Sequence, residues 1–302
     1  AAVYVLARVS GEGNDRRPER GDVLLTDAEV RDILALDERY ERFLLVLNVG
    51  GVVDLTPVKD VRNILLLSQL GAAVGDSFAD VLLGAAYPSG RLSTTWAAWE
   101  DYPAVGDFGD PDDTHYREGV YVGYRYFDST GTAPLFPFGF GLGYTGFALG
   151  EPAVDLDGSR ASVRVRVTNT GERAGREVVQ VYVSVPPGGL DQPYQALAGF
   201  SKSAELAPGE HQDVVVSFDL ADLASYDEAR AATVLEAGDY VVRVGVSSRD
   251  TAPAAVIGLA RTTVVRELHD VLGEAGFTDW RPADPAAVEV PGGVPRLAVE
   301  PA

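Results

Sequence analysis

Three runs of apolar residues dominate the first quarter of the chain: "VYVLARV" over 3–9, "FLLVLNV" over 43–49 and "NILLLSQ" over 63–69. Each is continuous rather than alternating, the pattern of a parallel strand covered on both faces. Between the first two, "LLTDAEVRDILALDERYE" has helical spacing. Val30, Ile33 and Leu34 share a face, and Thr26 and Glu29 stand as the capping box that starts the helix. Gly50 and Gly51 end the second run. After the third, "AAVGDSFADVLLG" predicts a helix with Ala79, Leu82 and Leu83 on one face and Gly84 as its stop. Strand, helix, strand in alternation predicts a parallel sheet with right-handed crossovers.

The pattern changes after "YPSGRLSTTW". From Asp101 to Phe147 the chain is rich in proline, glycine and aspartate and carries clustered aromatics, among them Tyr121, Tyr124, Tyr126, Phe136, Phe138 and Tyr144. These rings are read as packing glue of a connector between domains rather than as a sugar platform, since aromatics contribute large buried areas with a polar tip. Beyond Pro152 strict alternation takes over in "ASVRVRVTN", "EVVQVYVSV", "QDVVVSFDL" and "DYVVRVGVSS", separated by turn residues such as "NTGERAG" and "APGE". That is the text of a β-sandwich. The predicted organisation is a partial α/β domain over 1–100, a connector over 101–150, a β-sandwich over 151–265 and an irregular tail or linker over 266–302.

Composition narrows the functions this fold can serve. With 45 acidic residues against 25 basic the net charge is −20, which repels phosphate backbones, so nucleic acid is not an expected partner. No apolar run is long enough to span a bilayer, so no membrane partner is expected either. Without cysteine there is neither a disulfide nor a thiolate metal site; the compartment stays open, with a soluble, bacterial-type protein of the cytoplasm favoured. His115, His211 and His269 lie far apart and lack metal-ligand spacing, so no metal and no other cofactor is expected. There is no methionine, and the chain reads as a piece of a longer one. Self-association into a homo-oligomer is left open.

The candidate chemistry sits after the first apolar run. In "RVSGEGNDRR", Glu12 stands between Gly11 and Gly13 at the carboxyl end of a predicted parallel strand. Loops there form the ligand crevice of open sheets, and flanking glycines let the backbone approach another surface. On the residues alone, Glu12 is equally well a solvated loop carboxylate. Asp15 and Arg16 read as an ion pair that pins the loop. No G-x-G-x-x-G or G-x-x-x-x-G-K-[ST] follows any strand, which removes the nucleotide-binding reading of the sheet.

Six motifs, "SGEGNDR", "GDVLLT", "LNVGGVVDL", "AYPSGRLSTTW", "YVGYRYFD" and "PLFPFGFGLGYTGF", occur in an order that resembles the C-terminal half of glycoside hydrolase family three, the β-glucosidase group, over about Ala1 to Asp250. The resemblance implies an α/β sandwich domain, mostly parallel and partial here, followed by a fibronectin type III-like β-sandwich, with the family's catalytic β/α barrel absent. It implies a retaining β-glucosidase acting on terminal β-D-glucosyl residues of a β-glucoside or oligosaccharide. In such an enzyme Glu12 is the general acid/base, and the nucleophile lies on the barrel of the same protein. Ser10 and Asn14 of the same motif are the candidate substrate-binding residues. Relatives often carry an aromatic where Asn14 stands, which puts stacking at that subsite in doubt. "SQLGAAVG" has Ala72 and Ala73 where many relatives have glutamine and glutamate, and this wording resembles the subgroup in which the barrel follows the sandwich domains. "GFTDWRP", with Asp279 and Trp280, looks superficially like the nucleophile motif but lacks its preceding strand. The competing reading is a non-catalytic carbohydrate-binding or adhesion module, which gives no reason for a glycine-flanked glutamate at a strand end.

Overall fold

A computed structural model describes residues 1–9, 15–105, 112–271 and 276–299. The chain forms two compact units: 1–86, 94–114 and 133–136 make the first, and 87–93, 115–132 and 137–302 the second. Residues 101–150 thus divide between the two.

In the first unit, strands β1 (Ala2–Ala7), β2 (Phe43–Asn48) and β3 (Ile64–Leu66) form a parallel sheet in that order, with helix α1 (Asp27–Arg39) crossing over between β1 and β2 and helix α2 (Val74–Leu83) following β3. The capping box forms: Glu29 N–H donates to Thr26 Oγ1 at 3.2 Å, and Thr26 N–H donates to Glu29 Oε2 at 2.8 Å. Two orphan donors of the first turn are thereby satisfied. Ile33 carries the buried face of α1, whereas Leu34, expected on that face, is 42% exposed. Phe43, Leu45, Val46 and Leu47 are all buried, so β2 is covered on both faces as its continuous apolar run requires.

Two expectations fail here. "VYVLARV" reads as a fully buried strand, yet β1 is an edge strand of which Val3 and Val5 are 47% and 53% exposed while Leu6 points into the core. In α2 no residue is buried, and Leu82 and Leu83 of its expected packing face are 45% and 82% exposed. The helix stops where the sequence predicts, with Gly84 in the left-handed region at φ 78°. Burial differs because an apolar run specifies a strand or helix but not what covers it.

The second unit contains a short helix α3 (Tyr124–Thr130) and the sandwich. Its strands are β4 (Phe147–Leu149), β5 (Ala153–Asp157), β6 (Arg160–Asn169), β7 (Val178–Ser184), β8 (Ala196–Lys202), β9 (His211–Asp219), β10 (Ser225–Asp227), β11 (Ala232–Leu235), β12 (Gly238–Ser247), β13 (Asp250–Leu259), β14 (Thr263–Glu267) and β15 (Arg296–Ala298). β4, β5 and β9 all pair antiparallel with β6 to form one sheet; the other runs β15-β13-β12-β7-β8; β10, β11 and β14 make a small third one. Val163, Val165, Val167, Val181, Val216 and Val242 fill the space between the two larger sheets. β6 shows the period-two alternation of a half-buried strand. The stretch over 266–302, expected to be irregular, holds β15, which adds a parallel edge strand to β13 through Val256, Ile257 and Gly258.

β7 departs from alternation, because it is buried along its whole length. One face, Val179, Val181 and Val183, enters the core. On the opposite face Gln180 and Tyr182 are met by connector residues, and Ser184 accepts from Arg243 Nε of β12 at 3.1 Å. Tyr124 stacks on Phe138 at 4.6 Å and meets Tyr182 edge-on at 6.0 Å. The buried amide of Gln180 donates to Gly139 O and Val246 O, and Tyr182 Oη donates to Gln180 Oε1 at 2.6 Å, so its polar atoms are paired rather than orphaned. Gly139 is necessary at this point: its φ is 79°, and a Cβ there would lie 2.0 Å from Gln180 Oε1. From α3, Asp128 accepts from Gln195 Nε2 at 2.9 Å and pairs with Arg249 at 2.6 Å. Trp280 packs against Tyr121 and Tyr126, and its main-chain N–H donates to Arg117 O. The "TDW" segment is therefore seated on the connector within the second unit.

Candidate functional site

The carboxyl ends of the three parallel strands converge where Arg8, Val49 and Ser68 follow β1, β2 and β3. Arg8 N–H continues the ladder to Asn48 O at 3.2 Å, and Gln69 Nε2 donates to Arg8 O at 3.1 Å. Ser68 adopts φ 60°, a left-handed conformation uncommon outside glycine, at the point where its N–H and that of Leu67 both reach Leu47 O. Strained backbone of this kind concentrates at functional sites.

Glu12, Ser10 and Asn14 lie outside the described residues. Their flanks lie inside, and both are fixed. On the upstream side the Arg8 guanidinium is buried and forms a two-pronged pair with Glu29, 2.8 Å to Oε1 and 2.9 Å to Oε2, while Nε donates to Asp22 O at 2.7 Å. Planar fork-to-carboxylate geometry makes this the strong kind of ion pair. Burial pushes the Glu29 carboxyl up, but the hydrogen bonds from Arg8 and from Thr26 outweigh it and hold the carboxyl below its ordinary range. Downstream, Arg16 Nε donates to Asp22 Oδ1 at 2.7 Å and its Nη1 donates to Val52 O at 2.8 Å. Arg17 N–H donates to Asp22 Oδ2 at 2.7 Å. That backbone donor has the largest effect and draws the Asp22 carboxyl below its ordinary value; burial opposes it, and Arg16 adds to the lowering. Gly51 provides the room: a Cβ there would stand 3.0 Å from Arg16 Nη1. Arg16 Nη2 is buried with no hydrogen-bond partner among the described residues.

The adjacent Asp15 is thus not the partner that pins Arg16; Asp22 is. Arg8, Asp22 and Gln69 are absent from the residues that the sequence singles out, and Glu29 is read there only as a cap. A charged residue closing an otherwise apolar run was the available signal for Arg8, because a buried arginine needs a carboxylate. Among the described residues no group of three or more His, Asp or Glu side chains is arranged to hold a metal ion, and no helix is long and apolar enough to cross a membrane.

A parallel α/β unit with arginines held at its carboxyl edge, combined with a fibronectin type III-like sandwich, defines the class. Residues 1–144 match the model of the glycosyl hydrolase family 3 C-terminal domain, and 177–248 match that of the fibronectin type III-like domain. The chain belongs to glycoside hydrolase family three. It is 38% identical over 299 residues to beta-glucosidase A of Butyrivibrio fibrisolvens, covering 83% of this chain and 36% of that protein. It is 35% identical over 258 residues to an exo-alpha-(1->6)-L-arabinopyranosidase of Bifidobacterium longum, covering 83% of this chain and 33% of the relative. The crystal structure of a beta-glucosidase from Paenibacillus barengoltzii superposes with a TM-score of 0.83 at 34% identity, over 89% of this chain and 31% of that one. The chain spans about a third of the length of the curated relatives it matches.

Proposed function

We propose that this chain is the part of a retaining β-glucosidase that supplies the general acid/base, Glu12, to a sugar pocket and a nucleophilic carboxylate carried on a barrel domain outside it. The substrate is a β-glucoside or oligosaccharide cleaved at its terminal non-reducing glucosyl residue, with Ser10 and Asn14 beside the leaving group. The observation that supports this most directly lies in the described residues on either side of Glu12: Arg8 and Arg16 are both tied down by hydrogen bonds at the carboxyl edge of a parallel sheet. A solvated loop carboxylate has no use for such support, whereas a catalytic acid does, because reactivity depends on position to within about an ångström.

The chemistry follows from two carboxyl groups about 5 to 5.5 Å apart. The nucleophile attacks the anomeric carbon as Glu12 protonates the departing glycosidic oxygen. Glu12, now a carboxylate, then takes a proton from the water that releases the sugar, so the proton returns and the configuration is retained. Without the partner carboxylate neither step proceeds, and the isolated chain is expected to be inactive.

The test is the leaving-group dependence of the Glu12→Ala variant in the longer enzyme. Turnover of glucosides with poor leaving groups should fall by about 10²- to 10⁴-fold, and that of activated aryl glucosides far less, since only the former require protonation. Equal loss across the series removes the acid/base role from Glu12. Unchanged turnover together with retained sugar affinity favours the carbohydrate-binding module.

A further inference from the structure

Two arginines are buried among the described residues, Arg8 and Arg243, which are 7% and 8% exposed. Arg8 is paired with Glu29, but Arg243 has no carboxylate partner among the described residues. A buried charge left unpaired is costly, so its presence calls for a reason. Arg243 lies in β12 and points away from the core that Val242 and Val244 enter, opposite Tyr182 of β7 and Pro253 of β13. The register of β12 and β13 shifts at this point: Val242 faces Ala255, Arg243 faces Pro253, and Ala254 is left over between them. Irregularities of this kind re-aim a side chain and are common beside binding sites.

The guanidinium is fixed from two sides. Its Nε donates to Ser184 Oγ at 3.1 Å, and its carbon lies over the Tyr194 ring, 5.1 Å from the centroid. Tyr194 is buried and held in turn, its main-chain N–H donating to Ser129 Oγ at 2.9 Å. What remains is the end of the fork: Nη1 and Nη2 donate to no atom among the described residues, and neither is sealed from solvent. Two parallel N–H donors in one plane match the two oxygens of a carboxylate. We propose that Arg243 is the base of an anion-binding site on the β-sandwich that takes the carboxylate group of a ligand end-on, with Ser184 and Tyr194 holding the fork in place. A chain of net charge −20 repels multiply charged anions most, which favours a singly charged carboxylate over phosphate or sulfate. The site is separate from the acid/base reading of Glu12 and does not depend on it.

Nuclear magnetic resonance of the arginine side chains in this chain reads the site directly. Acetate added at constant ionic strength, with chloride as the balancing anion, should shift the Arg243 Nε–H and Nη signals in a saturable way and raise the melting temperature. Arg243→Met, which replaces the charge with an apolar chain, should weaken acetate binding by about 10- to 100-fold and remove the stabilisation. Arg243→Lys, which keeps the charge but loses the planar fork, should fall between. Together with the titration of the unaltered chain, it carries the test if Arg243→Met does not fold. In the longer enzyme, the same response to acetate identifies the ligand as a free carboxylate. An Arg243 signal already shifted there and insensitive to acetate identifies it as an acidic side chain from elsewhere in that protein. A purely structural arginine predicts no saturable shift in this chain. If acetate acts no differently from chloride, if phosphate alone gives a response, or if either variant binds acetate as tightly as the unaltered chain, the proposal is overturned.

Discussion

In the sandwich, β7 is buried on both faces, with valines toward the other sheet, Gln180 and Tyr182 beneath connector residues and Ser184 against Arg243. In the α/β unit, β1 has an equally apolar sequence but leaves Val3 and Val5 half exposed, and α2 buries nothing. The sandwich thus closes its own core, whereas the α/β unit keeps uncovered apolar surface at its edge strand and second helix. Exposed apolar surface of this kind commonly marks a contact for another segment. The unit that carries the candidate chemistry is the one its own residues complete least. Its local order at the site combines buried Val23, Val49 and Val53 with the charged side chains of Arg8, Arg16, Asp22 and Glu29.

If that contrast is correct, the largest change in stability should come from opening the closed region. Asp128, 2% exposed at its side chain, joins α3 to Gln195 and Arg249. Asp128→Ala should destabilise the second unit by about 2 to 3 kcal/mol, measured by denaturant unfolding, and Asp128→Asn by less because the amide still accepts from Gln195. Burial raises the Asp128 pKa above its ordinary value, with Gln195 and Arg249 opposing less strongly. The native state therefore holds this proton more tightly than the unfolded chain. The resulting stabilisation is complete below the unfolded pKa and is lost as pH rises through the folded value. In Asp128→Asn that component of the pH dependence should vanish. A smaller effect is expected on the open side: Leu83→Ser should change the stability of this chain by less than about 0.5 kcal/mol, because Leu83 is 82% exposed. A cost of several times that would mean that α2 is packed, and the comparison would fail.

What the sequence makes legible follows the same division. Signals that act over a few residues are read correctly: the Thr26 and Glu29 capping box, the Gly84 stop and the alternation of β6 all form. Signals that depend on distant partners are not. Polar Gln180 and Ser184 belong to a face that an alternating pattern assigns to solvent, yet this face lies buried because Gly139 O, Val246 O and Arg243 meet them. Adjacent Asp15 and Arg16 suggest a local pair, yet Arg16 finds Asp22 across a turn. Glu29 reads as a cap because Thr26 stands three residues before it; nothing local reveals the Arg8 guanidinium that arrives from the end of β1. Glu12 was legible only through the ordered motifs around it, since a glutamate between glycines carries no role of its own.

The central claim is that Glu12 works as acid and then as base on opposite sides of one covalent intermediate, and azide rescue tests it most directly. In the longer enzyme carrying Glu12→Ala, an activated aryl β-glucoside should still form the glucosyl intermediate, which then waits for a base that is no longer there. Azide, an anion that needs no base, should attack in place of water, restore turnover and yield β-glucosyl azide with retained configuration. No rescue by azide, or an azide product of inverted configuration, would contradict the account.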